Sequence, residues 1–221
     1  MDVWEINALQ LVKSCGPVMI PIILCSVFAF GIIIEKLIFF SAIRKNTFKL
    51  KTRIFDHIKA NKIKEALELC DMNPTPLAKI LKSGIIKFGA SRTEIKEAME
   101  EASLFEVPKL EKGLGALATI AHLSPLLGLL GTVVGIAVSF HTIQLRAAAL
   151  NPTTPADLAV GIWQALITTI AGLTIAIPTY LTYNYFVSQV DGLVLEMERG
   201  ATELVSLLAH LIEAKKIDRE D

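Results

Sequence analysis

Residues 158–187 read LAVGIWQALITTIAGLTIAIPTYLTYNYFV, with no Lys, Arg, Asp or Glu among them. At about 1.5 Å of rise per residue, such a stretch crosses a bilayer with some tilt. Gly161, Ala165, Thr168, Gly172, Ala176 and Thr179 recur in it at helical spacing, so one face is small and weakly polar. Gln164 and Thr169 flank that stripe. Small faces let helices approach closely in a membrane. Hydroxyls and an amide at that depth need a partner or a wet path.

A second run of the same kind spans residues 114–140, LGALATIAHLSPLLGLLGTVVGIAVSF, again without a charged residue. Gly128, Thr132, Gly135 and Ser139 give it a small, hydroxyl-bearing face. A third apolar run lies near the amino terminus, at 17–40, with Pro21 in its first turns and Glu35 and Lys36 toward its end. It fits a signal peptide badly, because no basic region directly precedes it and no small-residue cleavage site follows. It is read as a membrane helix. Residues 1–16, with Trp4, suit a short segment at the membrane interface.

Between the first and second runs the chain changes character. Residues 41–113 are rich in Lys and Arg, beginning with Arg44, Lys45, Lys49, Lys51 and Arg53. Such a cluster beside a membrane end stays cytoplasmic. Phe55, Ile58, Ala66, Leu67 and Cys70 predict two short helices broken near Asn61. Asn73-Pro74-Thr75-Pro76 is a break, and Leu77–Phe88 a further helix ended by Gly89. Ser91 and Glu94 form a capping-box pattern at the start of a long helix, with Pro108 as its kink or junction. Residues 188–221 are again charged and amphipathic and extend the third span. The expected fold is all-α. It has three transmembrane helices, the second and third extended into a cytoplasmic helical bundle.

Only Lys13 and Arg146 among the basic residues fall in the amino-terminal segment and the 141–157 loop. The amino terminus and that loop are therefore expected outside, the middle region and the tail inside. The chain has 22 basic and 22 acidic residues, and this balance gives no reason to invoke nucleic acid. Cys15, Cys25 and Cys70 are scattered, without zinc spacing, and read as packing residues. There is no nucleophile–base pair, metal spacing or phosphate loop, so neither enzyme nor cofactor is expected.

One further absence has a consequence. Proton relays in membranes commonly use carboxylates or His. The second and third spans contain no acid and only His122 at comparable depth. If ions pass, the titrating carboxylate must come from a partner helix. Without ion passage, the chain is a passive scaffold whose threonines only pack helices.

LGLLGTVVGI (127–136) together with ALITTIAGLTIAIPTYLTYN (165–184) resembles the MotA/TolQ/ExbB proton-channel family, in its ExbB/TolQ branch. The resemblance extends to the order of spans, the large segment between the first two, and the helical tail. It implies a homopentameric ring in the bacterial inner membrane, the amino terminus periplasmic and the carboxyl terminus cytoplasmic. It also implies a partner of the ExbD/TolR type, a single-span protein carrying a membrane Asp, and work delivered through a TonB/TolA-type protein. Energised by the proton motive force, the ring would drive a process such as TonB-dependent transport. Thr132 and Thr169 take the positions of the pathway threonines. Gln164 stands where many members carry Glu, five residues before the second threonine. Thr168 adds an oxygen beside Thr169 that would favour sodium over protons, since hard cations take oxygen ligands. The implied ion path is thus Thr132, Thr169, Thr168 and Gln164. The small packing face is Gly128, Gly135, Gly161, Ala165, Gly172 and Ala176. In this mechanism the charged Asp is held by the hydroxyls of Thr132 and Thr169 and is released on protonation.

Overall fold

The computed structural model describes residues 16–150, 152 and 154–220. The interfacial segment expected at 1–16 lies outside the described residues, apart from Gly16. Among the described residues the regular structure is helical and there is no strand. The helices are α1 (Met19–Lys59), α2 (Ile63–Met72), α3 (Pro76–Ile86), α4 (Arg92–Glu111), α5 (Leu114–Ala148) and α6 (Pro155–Glu220). Three stretches of helix are long and apolar enough to cross a membrane. They are Met19–Ile43 in α1, Arg92–Ala148 across α4 and α5, and Leu158–Ile212 in α6, and they define a multi-pass helical membrane protein.

The chain folds into two compact units. One takes the residues up to Ile34 together with Gly113–Tyr185; the other takes Glu35–Lys112 and the remainder from Phe186. The boundaries at Ile34/Glu35 and Lys112/Gly113 fall where uncharged and charged sequence meet. Apolar side chains such as Phe28, Phe30, Leu126, Val133 and Ile170 stay exposed in the first unit, as a lipid- or protein-facing surface requires.

In the second unit local signals place most helix ends. Thr75 accepts a hydrogen bond from Ala78 N, and Pro76 occupies the first turn of α3. Ser91 accepts from Glu94 N at 3.2 Å. The Glu94 carboxylate takes the Ser91 hydroxyl hydrogen instead of closing the reciprocal bond of a capping box.

Two expectations change. Of the two short helices expected on either side of Asn61, the first is not separate: α1 runs unbroken for 41 residues to Lys59, and the second is α2. Residues 36–59 contain no Gly or Pro and many good helix formers, so nothing local stops the helix. It stops at Asn61, in the left-handed conformation at φ 57°, which Asn tolerates better than most residues. Likewise α4 passes through Pro108, and the junction falls at Lys112 and Gly113, where Gly113 has φ 84°.

Lys36 is only 3% exposed. Its ammonium donates to the Leu110 carbonyl at 2.9 Å and lies over the rings of Phe39 and Phe40. The end of α4 leaves carbonyls without helical partners, and a cation there also meets the negative end of the helix dipole. Phe40 in turn stacks on the fully buried Phe186 at 5.5 Å. Lys36, Phe39 and Phe40 of α1 and Phe186 of α6 are thus gathered with the end of α4. Elsewhere in this unit Cys70 is buried in α2, and burial, aided by neighbouring Asp71, pushes its thiol up to about 11, so it behaves as a packing residue.

Glu106 of α4, with its side chain 8% exposed, receives Lys79 of α3 at 3.1 Å and Lys109 at 2.5 Å. Burial works against its carboxylate, but the bonds from Lys109 and Lys79 outweigh it and hold the group below the usual carboxylate range. A depressed folded value adds stability above the ordinary carboxylate range, and that stability is lost as pH falls through the folded value. Thermal unfolding of the detergent-solubilised protein should therefore show an acid-side loss that Glu106→Gln lacks. Near pH 7 the same substitution should cost about 1–3 kcal/mol.

Candidate functional site

In the first unit α5 and α6 meet through their small faces. A Cβ placed on Gly128 would lie 3.0 Å from Thr169 Cα and 3.1 Å from Thr168 O. On Gly135 it would lie 2.9 Å from Gly161 O, and on Gly172 it would lie 2.5 Å from Ser124 O. On Gly131 it would overlap the Thr168 side chain, and on Gly161 the Ser139 hydroxyl. Partner numbers rise on one helix as they fall on the other, so the pair is antiparallel. Backbone touches backbone here, and only glycine or alanine permits that approach.

Among the small-face residues, Gly128, Gly135, Gly161, Ala165 and Gly172 take part in this joint, and Ala176 is buried beside them. Sequence reading left out Gly131, the socket for Thr168. The GTVxG motif contains it, but periodicity does not single it out from Gly128 and Gly135.

The four polar candidates separate. Thr168 is 1% exposed and donates to the Ala165 carbonyl at 2.8 Å, so it lies inside the joint. Thr169 is partly exposed and donates to Gly128 O on the other helix at 3.1 Å. Thr132 is partly exposed and donates to Leu129 O at 2.6 Å. Each of these two follows a residue of the joint, Gly131 or Thr168, and is therefore rotated about 100° from it. For antiparallel helices that rotation brings both to the same edge of the pair. Gln164 precedes Ala165 and turns to the opposite edge. Five residues separate it from Thr169, about 140° around the helix. Among the described residues no hydrogen bond reaches its amide.

The hydrogens of Thr132 and Thr169 are both committed to carbonyls, which only accept. Their oxygens are then free to accept, which suits a water, a protonated acid or a cation better than a bare carboxylate. The described residues hold no group of three or more His, Cys, Asp or Glu side chains placed to bind a metal.

The arrangement is that of a multi-pass helical membrane protein with paired hydroxyls on one edge of a tightly packed, uncharged helix pair. A family model described as the MotA/TolQ/ExbB proton channel family matches residues 72–199, more than half of the chain. A biopolymer transport ExbB-like protein of Synechocystis is 32% identical over 171 residues, covering 77% of this chain and 80% of that relative. The chain belongs to the MotA/TolQ/ExbB proton channel family. It is also 32% identical over 187 residues to a biopolymer transport ExbB homolog of Methanothermobacter thermautotrophicus, covering 84% of this chain and 64% of the relative. The Tol-Pal system protein TolQ of Pseudomonas aeruginosa is 34% identical over 150 residues, covering 62% and 63%. The chain thus spans a little under two thirds of the length of these last two relatives.

Gly161→Val should force α5 and α6 apart at Ser139 and Gly135. Overpacking of this kind costs about 1–3 kcal/mol, to be seen as a lower unfolding temperature in detergent. Gly192→Ala, where an added Cβ meets nothing within 4 Å, is the control and should leave it unchanged or raise it slightly.

Proposed function

We propose that the chain is the ring-forming channel subunit of an inner-membrane motor that converts an ion gradient into mechanical work on the cell envelope. The observation that carries this reading is the shared edge of Thr132 and Thr169. Two acceptor oxygens stand there in spans that contain no charged side chain of their own. Family membership supports the ion, and the similarity to ExbB and TolQ supports biopolymer transport or a Tol-Pal role.

In this reading the protein is a homopentamer in the bacterial inner membrane. The 1–16 segment and residues 141–157, where α5 ends at Ala148 and α6 begins at Pro155, face the periplasm; residues 41–113 and 188–221 face the cytoplasm. A single-span partner of the ExbD/TolR type supplies the membrane Asp, and a TonB/TolA-type protein receives the work. The partner acid, once protonated, donates to the oxygens of Thr132 or Thr169; once ionised, it leaves them for water. Cycling between these states moves the ring past the partner. One charge crossing 100 mV releases about 2.3 kcal/mol, comparable to one or two such hydrogen bonds, so the contacts are weak enough to be broken at every step. Thr168, closed inside the joint, holds the edge in shape, and Gln164 offers an uncharged amide on the other edge. The ion is a proton; sodium is the alternative.

One observation favours a second reading. Thr132, Thr168, Thr174 and Thr179 all bond carbonyls of their own helix, as packing threonines do. On that reading the chain is a passive scaffold.

Co-purification with an ExbD/TolR-type protein, followed by flux in liposomes under a proton or a sodium gradient, separates the two. Thr169→Val and Thr132→Ala should assemble normally and lower flux by about 2- to 10-fold, the effect of one lost hydrogen bond between neutral groups. Undiminished flux in both variants, or a stable complex with no flux for either ion, would establish the scaffold.

A further inference from the structure

His122 lies outside the roles assigned so far. Between 114–140 of α5 and 158–187 of α6 it is the only ionisable side chain apart from tyrosines. It is exposed on the surface of α5, so it is not a core-packing residue. Its Nδ1 lies 2.8 Å from the Ala118 carbonyl, one turn back. A carbonyl only accepts, so Nδ1 carries the hydrogen and Nε2 remains the basic atom.

The ring packs in a T-shaped arrangement with that of Tyr180 on α6, with centroids 6.0 Å apart and planes at 80°. Tyr180 follows Thr169 by eleven residues. That is three turns plus about 20°, so it lies on the same edge of α6, about 16 Å further along the axis. His122 therefore sits beside the hydroxyl-bearing edge, displaced toward the charged carboxyl-terminal half of α6. In this unit α1 from Met19 to Ile34, α5 over 114–140 and α6 over 158–187 contain no Lys, Arg, Asp or Glu. Tyr180, Tyr183 and Tyr185 are the titratable groups of α6 there. An ionisable ring on the outside of a membrane helix is costly against hydrocarbon and belongs on a wet path or a protein surface.

We propose that His122 is a proton-binding station of the ion path, on the side of Thr132 and Thr169 nearer the charged half of α6. The inference rests on the channel reading above and adds to it a titratable group belonging to this chain. Nε2 accepts a proton from a hydronium in the path. The N–H bond forms as that O–H bond breaks, leaving water and an imidazolium. The same proton then passes to a water on the far side, restoring the neutral ring. No electrons change hands.

The test uses the complex with its single-span partner in liposomes, with proton flux driven by a potassium–valinomycin potential at symmetric pH. His122→Asn retains a side-chain donor near the Ala118 carbonyl and cannot titrate; His122→Gln is the second variant. Wild-type flux at a fixed potential should change with the symmetric pH. Both variants should lose that pH dependence and run at about one tenth of the wild-type rate or below, at unchanged oligomer size. Wild-type rate and pH profile in an assembled variant overturn the inference and leave the channel reading intact. So does flux carried by sodium and indifferent to pH. Loss of assembly in both variants assigns His122 to packing and likewise overturns it. Absence of flux in the wild-type complex overturns the channel reading itself.

Discussion

The close approach of α5 and α6 is the constraint on which the rest of the membrane unit depends. Where Gly128 and Gly172 stand, an added methyl group would press against the backbone of the opposite helix. Lipid tails are as apolar as leucine, so burying apolar surface does little to bring spans together in a membrane. Contact at van der Waals distance and bonds between helices must do it instead. Thr169 supplies one such bond, to Gly128 O, at the point where the backbones are nearest. The same glycines that make the joint also place Thr132 and Thr169 at its rim.

A different chemistry organises the second unit. Glu106 between Lys79 and Lys109, and Lys36 against the Leu110 carbonyl, are buried or half-buried charges with partners in reach. Burying a charge is tolerable only when its hydrogen-bonding capacity is met. Lys36 has no carboxylate at its ammonium among the contacts described; a helix end and two aromatic faces replace it. The membrane unit has no equivalent. Its two uncharged runs, 114–140 and 158–187, carry hydroxyls, the amides of Gln164 and Asn184, the Trp163 indole and the His122 ring, and no Lys, Arg, Asp or Glu. This segregation explains how a chain of zero formal net charge keeps two long uncharged spans.

Sequence alone determined the three apolar runs, the basic segment between the first two, the breaks at 73–76 and the start of α4 at Ser91. These follow from local rules: length against bilayer thickness, the backbone limits of proline, and the hydrogen bonding of a cap. The two motifs also carried the family, because they combine glycines and threonines at fixed positions within the uncharged runs.

What only the tertiary structure decided is which angle on each helix meets a neighbour. Periodicity gives a residue its direction around one axis and says nothing of what stands in that direction. Thr168 and Thr169 are adjacent and chemically identical, yet one is closed inside the joint and the other sits at its rim. Gln164 flanks the same stripe as Thr169 and turns to the opposite edge. The continuation of α1 to Lys59, the helix end met by Lys36, and the meeting of His122 with Tyr180 depend in the same way on context. Each is settled by contacts between residues far apart in sequence, or by the absence of any local signal strong enough to end a helix.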